Sequence, residues 1–160
     1  MTTTLNFKDN KLLRLEFIRL DDPDEMIARA IIIVSDKDVD ESEENYYIPI
    51  DYWSRKQYVE NWLQAIDELE AEGKGSFILL ADKIERDSAL ECYMAWKIPE
   101  GYVFQNVWLA QNEIDEPIDI KTTWKYMKES PSDEMDEVNI SQSEIDELKL
   151  SLKYCLEKLI

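Results

Sequence analysis

The chain has 160 residues, of which 36 are acidic and 18 basic, so its formal net charge at neutral pH is −18. This balance argues against a protein that binds nucleic acid or an anionic membrane, because both ligands need a basic surface. The absence of histidine excludes Ser-His-Asp and Cys-His catalytic sites, and the three glycines are not spaced to form a phosphate-binding loop. The composition leaves open a hydrolytic site built from carboxylates alone, such as the pair of a glycosidase.

Cofactors, compartment and membrane association are also constrained by the sequence. The first ten residues lack the apolar stretch of a signal peptide, and the longest apolar run, residues 30–34, is too short to span a membrane. Cys92 and Cys155 lie within apolar patterns, which is typical of buried, reduced thiols. We therefore expect a cytoplasmic protein with no metal and no cofactor.

The first fifty residues predict two strands and an acidic connection. Partial alternation over residues 12–20 indicates a half-buried strand, and the β-branched residues from Met26 to Val34 indicate an inner strand. The turn residues 21–24 would join these strands as a hairpin, although a helix over residues 23–31 is an alternative. Residues 35–45 carry six carboxylates and one lysine, which predicts a loop that is either a solvated connector or an anionic docking surface.

A helix over residues 54–72 has the clearest local signals. Ser54 and Gln57 form a capping box, and Trp53 and Tyr58 have the spacing of a hydrophobic staple. Gly73 provides the C-terminal stop. Apolar residues then recur at intervals of three and four, so one stripe of the helix should be buried.

The second half of the chain predicts strands followed by a loop and a final helix. Short apolar or alternating runs predict strands over residues 75–82, 88–98 and 102–109. Residues 110–139 lose periodicity and include an acidic run at 129–137, which predicts a loop. A second capping box, Ser141 with Glu144, and a second staple, Ile140 with Ile145, begin a helix over residues 141–159.

These elements predict an α+β fold in a single domain spanning residues 1–160. We expect an antiparallel sheet of about four to six strands, packed by the central helix and the C-terminal helix. One or two N-terminal strands are expected to join this sheet. The residues predicted to be buried in the core are Trp62, Ile66, Leu69, Phe77, Leu79, Met94 and Trp96.

The central helix and the strands after it carry a recognisable series of short motifs. An aromatic-x-Ser sequence precedes a Tyr-x-x-x-Trp-x-x-Ala helix, and a glycine and a Ser-led strand follow. The residues concerned are Tyr52-Trp-Ser-Arg-Lys-Gln-Tyr-Val-Glu-Asn-Trp62-Leu-Gln-Ala65, Gly73, Ser76-Phe-Ile78, Trp96, Val103-Phe-Gln105-Asn106, Pro117-Ile-Asp119 and Ile140-Ser141. In order and spacing, residues 46–142 resemble the bacterial immunity proteins of contact-dependent growth inhibition systems, the CdiI family.

This resemblance implies a cytoplasmic binding protein that is not an enzyme. Such a protein binds the C-terminal toxin domain of a large surface adhesin that a sibling cell delivers. Many of these toxins are nucleases, often acting on RNA. The resemblance implies that the immunity protein occludes the active site of its own toxin and protects against no other.

The charge of the chain agrees with that implication on independent grounds. A nuclease needs a basic cleft for phosphates, and an inhibitor can place carboxylates there instead. Acidic residues without an evident role in turns or caps are the best candidates for this contact. The predicted partner-binding residues are Asp36, Asp38, Asp40, Glu41, Glu43, Glu44, Asp115 and Glu116. The alternative function is an acidic interaction domain that binds another basic protein without neutralising a toxin.

Overall fold

The structure is a computed structural model that describes residues 13–19, 26–34, 42–49, 52–81, 85, 87–134 and 137–158. The fold is of the α+β class, as the sequence predicts, with two antiparallel sheets and two long helices. In chain order the elements are β1 (Leu13–Arg19), β2 (Met26–Val34), β3 (Ser42–Pro49), α1 (Arg55–Glu72), β4 (Lys74–Leu80), β5 (Ala89–Ile98), β6 (Gly101–Ala110), β7 (Val138–Ile140) and α2 (Gln142–Lys158). Two 3₁₀ segments, Gln111–Glu113 and Ile120–Tyr126, lie between β6 and β7.

The N-terminal strands form their own three-stranded sheet, in the order β1-β2-β3. The predicted hairpin of β1 and β2 is confirmed, and the alternative helix over residues 23–31 is wrong where the structure describes it, since β2 begins at Met26. The expectation that these strands join the main sheet is also wrong. Of the predicted acidic loop, Ser42–Asn45 belong instead to β3, where the strand-forming residues 46–48 extend the pairing with β2, and residues 35–41 lie outside the described residues.

Helix α1 has the ends that its sequence predicts. The Ser54 side chain accepts a hydrogen bond from the Gln57 backbone N–H (3.2 Å), and Gln57 Oε1 accepts one from the Ser54 N–H (2.8 Å). The rings of Trp53 and Tyr58 meet edge to face, with centroids 5.4 Å apart. Gly73 ends the helix at φ 83°, a left-handed conformation that glycine adopts without strain.

Close packing joins α1 to β4. A Cβ atom added at Gly75 would overlap the backbone carbonyl oxygen of Ala65, so the absence of a side chain allows the helix to approach the strand. At the same edge, Asn61 Oδ1 accepts a hydrogen bond from the Ile78 N–H (2.9 Å), and Trp62 Nε1 donates to the Ile78 carbonyl (2.7 Å). These two bonds satisfy backbone groups that a neighbouring strand would otherwise use.

Strands β4 to β7 form the main sheet, and both of its faces are covered. Directly opposed residues of antiparallel strands share a face, so the register places Phe77 and Tyr93 on one face and Ser76 and Met94 on the other. The face of Phe77 is also that of Gly75, which lies against α1. All seven residues predicted for the core are buried, but the register divides those on β4 and β5 between two layers.

The second face is covered by residues 111–134, which the sequence predicts to be a loop. Ser76 Oγ and Thr123 Oγ1 are hydrogen-bonded at 2.7 Å in the interior, and Trp96 Nε1 donates to the Lys128 carbonyl (2.8 Å). The side chain of Gln105 forms two hydrogen bonds with the Ser132 backbone. The segment lacks periodicity because such individual bonds, together with a few buried side chains, hold it on the sheet. Those buried side chains are Ile118, Ile120, Thr123 and Met127.

Helix α2 completes the layer on the α1 side. Its predicted capping box is confirmed, since Ser141 Oγ accepts from the Glu144 N–H (3.2 Å) and Glu144 Oε1 accepts from the Ser141 N–H (3.2 Å). Both staple residues, Ile140 and Ile145, are buried. The buried face of α2 continues through Leu148 and Leu152.

Two smaller findings concern the membrane and the cysteines. Within the described ranges, no helix combines the length and apolar character needed to cross a bilayer. Cys92 is a free, buried cysteine, and burial raises the pKa of its thiol to about 12, so it carries no reactive thiolate at neutral pH.

We predict that Trp62→Ala destabilises the fold by about 3–5 kcal/mol, because the indole is 2% exposed and its loss leaves a cavity and an unpaired Ile78 carbonyl. Urea unfolding at neutral pH measures the change. Trp108→Ala is the matched control, since this indole is 56% exposed and its removal should change stability by no more than about 0.5 kcal/mol. Equal losses in the two variants would contradict the assigned core.

Candidate protein-binding surface

The predicted partner-binding residues fall into three groups in the structure. Asp36, Asp38, Asp40 and Glu41 lie outside the described residues. Glu43 and Glu44 are consecutive on β3 and pair with Ile33 and Ile32 of β2. Asp115 and Glu116 are exposed and follow the 3₁₀ segment after β6.

Asp115 and Glu116 belong to a larger acidic group, which we call the acidic turn, residues 113–119. Its carboxylates are all exposed: Glu113, Asp115, Glu116 and Asp119. From residue 111 to residue 119 the sequence contains no lysine or arginine. The turn therefore presents four negative charges within seven residues at the end of β6.

Gln111 fixes the backbone of the acidic turn. Its Nε2 donates to the Glu116 carbonyl (2.8 Å), and its Oε1 accepts from the N–H of buried Ile118 (2.7 Å). Asp119 then caps the following 3₁₀ segment by accepting from the Lys121 N–H (3.0 Å). The carboxylates of Asp115 and Glu116 are thus held on an ordered backbone, which lowers the entropy lost when a partner binds them.

A second acidic surface lies where α1 meets α2, and it carries a counter-charge. Lys149 of α2 lies 3.3 Å from Asp67 and 3.7 Å from Glu70 of α1. The hydrogen bond with Asp67 is the main cause that raises the pKa of Lys149 above its ordinary value. Part of the negative charge here is therefore already neutralised within the protein.

A third acidic surface is the run at residues 129–137. Glu129 is paired with Lys74 at 3.6 Å, and Asp133, Glu134 and Glu137 are exposed, while residues 135 and 136 lie outside the described ranges. By contrast, no described lysine or arginine forms an ion pair with a carboxylate of the acidic turn. Of the three surfaces, the acidic turn has the most carboxylates with no described counter-charge.

The exposed carboxylates of the acidic turn are better suited to contact basic side chains of a protein partner than to act on a small molecule. Among the described residues, no three acidic or cysteine side chains are grouped to hold a metal ion. Exposed carboxylates on an ordered turn can accept charge-assisted hydrogen bonds from arginine or lysine side chains of a partner. The acidic turn is therefore the best-defined candidate surface.

Sequence reasoning found only part of this surface. Glu113 and Asp119 were not predicted, although the four carboxylates without a base between residues 111 and 119 can be counted in the sequence. Trp108, which is largely exposed on β6, was also missed. Its outward position depends on the β5–β6 register, which the strand prediction did not use to assign faces.

Comparison with known proteins identifies the family. The family model described as the CdiI N-terminal domain matches residues 48–151, which is more than half of the chain. The chain belongs to the CdiI family of immunity proteins. The resemblance seen over residues 46–142 is thereby confirmed.

A solved structure extends the comparison to the fold. A chain of the CdiA-CT/CdiI toxin and immunity complex from Enterobacter cloacae superposes with a TM-score of 0.73 at 14% sequence identity, covering 89% of this chain and 99% of that chain. The search of curated proteins gives no match. The family model covers the acidic turn, whereas residues 36–44 lie before the matched region. Of the predicted partner-binding residues, only Asp115 and Glu116 therefore lie within the family domain.

Glu68 gives a test of the electrostatics on the helices. Burial is the main cause that raises its pKa, and Asp67 and Glu72 add repulsion, against the hydrogen bond from Gln64 (3.1 Å). A carboxylate whose pKa is raised by folding costs stability once it ionises. Glu68→Gln should therefore stabilise the protein at pH 7, by less than about 1 kcal/mol because solvent screens the site.

The gain from Glu68→Gln should shrink as the pH falls through the raised pKa of Glu68, and it should be absent below the ordinary glutamate pKa of about 4, where the carboxyl is protonated in both the folded and the unfolded chain. Urea unfolding of the variant and the wild type, at pH 7 and at a pH below about 4, measures the change in this gain. Glu157→Gln, at an exposed position on α2, is the control and should show a smaller gain at pH 7. A gain that does not change with pH would refute the assigned cause.

Proposed function

We propose that this chain acts in the cytoplasm as the immunity protein of its own growth inhibition system and neutralises the cognate CdiA C-terminal toxin by binding it. The family match over residues 48–151 is the observation that carries the proposal. The similarity in fold to a chain from a CdiA-CT/CdiI complex supports it. In this role residues 1–160 act as one domain that binds and does not catalyse.

We further propose that the toxin domain is cationic and is a nuclease, with RNA as its favoured substrate. A nuclease attracts phosphates with a basic cleft. An inhibitor with a net charge of −18 is electrostatically complementary to such a cleft. In this proposal the bound chain covers the toxin's active site and excludes nucleic acid from it.

The surface proposed to face the toxin is the acidic turn, together with the acidic residues between Asp36 and Glu44. Two features of the turn support this choice: its four exposed carboxylates and the hydrogen bonds of Gln111 that order it. Long-range attraction between this surface and a basic cleft raises the association rate by about 10–10³-fold. Fast capture matters because the toxin arrives in the cell already active.

Coexpression in a susceptible bacterium tests the proposed function. We expect the adjacent upstream reading frame to encode a large adhesin, whose C-terminal domain is the toxin partner in this test. We expect growth when this toxin is expressed with the chain, and growth arrest when the chain is paired with a toxin from an unrelated system. Binding without protection would favour the alternative, an acidic interaction domain, and the absence of both would reject the proposal.

Charge reversal should identify the surface that attracts the toxin. We predict that Asp115→Lys with Glu116→Lys slows association by at least about tenfold at low salt, because like charges then meet the basic cleft. The effect should shrink between about 0.15 M and 1 M salt, as the Debye length falls from about 8 to 3 Å. Stopped-flow association kinetics measure both changes.

Two further variants complete this comparison. Reversing Asp38, Asp40, Glu41 and Glu43 to lysine tests the N-terminal acidic region and is predicted to slow association in the same way. Glu147→Lys with Glu157→Lys, at two exposed positions of α2, changes the net charge by as much as the pair at 115 and 116. If this control slows association as much as the acidic-turn variant, the effect reflects total charge and the turn is not the contact.

A further inference from the structure

Trp108 is the one tryptophan on the β5–β6 hairpin that the fold leaves largely in solvent. Its side chain is 56% exposed, whereas Trp96 on the neighbouring strand is buried under residues 111–134. A tryptophan without a place in the core is costly to leave in water and is a residue type enriched at binding hot spots. Its surroundings therefore indicate what it could bind.

The register defines a small surface around this indole. Trp108 lies directly opposite Glu91 on β5, and Ala110 lies opposite Ala89, so these four residues share one face of the sheet with Asn106. The alanines leave no large side chain beside the indole at the end of the hairpin. Asn106 Nδ2 donates to Glu91 Oε1 (3.4 Å), which holds this largely buried carboxylate next to the ring.

Carboxylates border the surface where the two strands end. Asp87 precedes β5 by two residues, and Glu113 follows β6 by three, and both are exposed. The backbone hydrogen bond from the Gln111 N–H to the Ser88 carbonyl (3.0 Å) joins the two chain segments at this point. The indole therefore has a carboxyl group on its β5 side and exposed carboxylates beyond the strand ends.

We propose that the Trp108 face is a docking site for an arginine or lysine side chain of the toxin. This inference rests on the proposed function. A cation is attracted to the face of an indole, and the attraction strengthens when water is excluded. The neighbouring carboxylates add charge complementarity, and they disfavour a second copy of this chain as the occupant, because each copy carries a charge of −18.

Trp108 and the acidic turn have separable roles in this arrangement. Exposed carboxylates act over a Debye length and mainly set the association rate, whereas a packed indole acts only after contact and mainly sets the dissociation rate. The two contributions therefore differ in their salt dependence. This difference makes the role of the indole measurable in the presence of the acidic turn.

The test uses the full chain and a catalytically inactive C-terminal toxin domain from the adjacent upstream frame. Trp108→Ala should raise Kd by at least about tenfold, mostly through faster dissociation, and the loss should persist at about 1 M salt. Trp108→Leu keeps apolar area but lacks a π face and should lose most of the same affinity. Tyr154→Ala, at a half-exposed aromatic residue of α2, is the matched control and should bind as the wild type does.

Each outcome bears on one proposal. A Kd within twofold of the wild-type value for Trp108→Ala, in a variant with an unchanged melting temperature, overturns the docking site and leaves the proposed function intact. Wild-type affinity in Trp108→Leu overturns the stacked cation, because apolar area alone would then suffice. Failure of the wild-type chain to bind the toxin overturns the proposed function itself.

Discussion

The packing of α1 against β4 determines how the rest of the chain is arranged. At Gly75 the helix backbone approaches so closely that a single Cβ atom would overlap the Ala65 carbonyl oxygen. Beside this contact, Asn61 and Trp62 bond both backbone groups of Ile78 that face the sheet edge. Since the helix satisfies these groups, β4 is the last strand of its sheet, and the strands before α1 form a separate sheet. The helix also covers only one face of β4–β6, so the other face must be covered by residues that follow β6.

The elements that the sequence predicts best are those fixed by neighbouring residues. Ser54 with Gln57 and Ser141 with Glu144 set the starts of both helices through bonds across three residues, and such signals can be read from a short window. The cover on the second face depends on pairs much farther apart, since Ser76 and Thr123 are separated by 47 positions and Trp96 and Lys128 by 32. No pattern within a short stretch of sequence indicates these pairs, and for this reason the sequence predicts a loop over residues 111–134.

The residues of the candidate surface also divide into those that the local sequence indicates and those that only the folded structure reveals. Asp115 and Glu116 could be predicted because neither caps a helix nor supplies turn chemistry, and a carboxylate without a local role is visible in the sequence. Trp108 could not, because its outward position follows from the β5–β6 register, which places it on the face of Tyr93 and Phe77. The electrostatic surroundings also required the structure. The acids at the α1–α2 contact are as dense in sequence as those of the turn, but Lys149 reaches two of them from the other helix.

In the acidic turn, the groups that maintain the fold are different from the groups proposed to contact the toxin, although they lie within a few residues of each other. Its order comes from bonds to the backbone of Glu116, Pro117 and Ile118, which Gln111 and Tyr126 supply. None of these bonds uses the carboxylate of Asp115 or Glu116, so other side chains at these two positions would leave the bonds in place. Substitution at exposed positions of this kind typically changes stability by no more than about 0.5 kcal/mol. An immunity protein must discriminate its own toxin from others, and specificity is a difference between binding free energies. A turn whose backbone is fixed by its neighbours allows that difference to change through side chains alone, without a corresponding loss of fold stability.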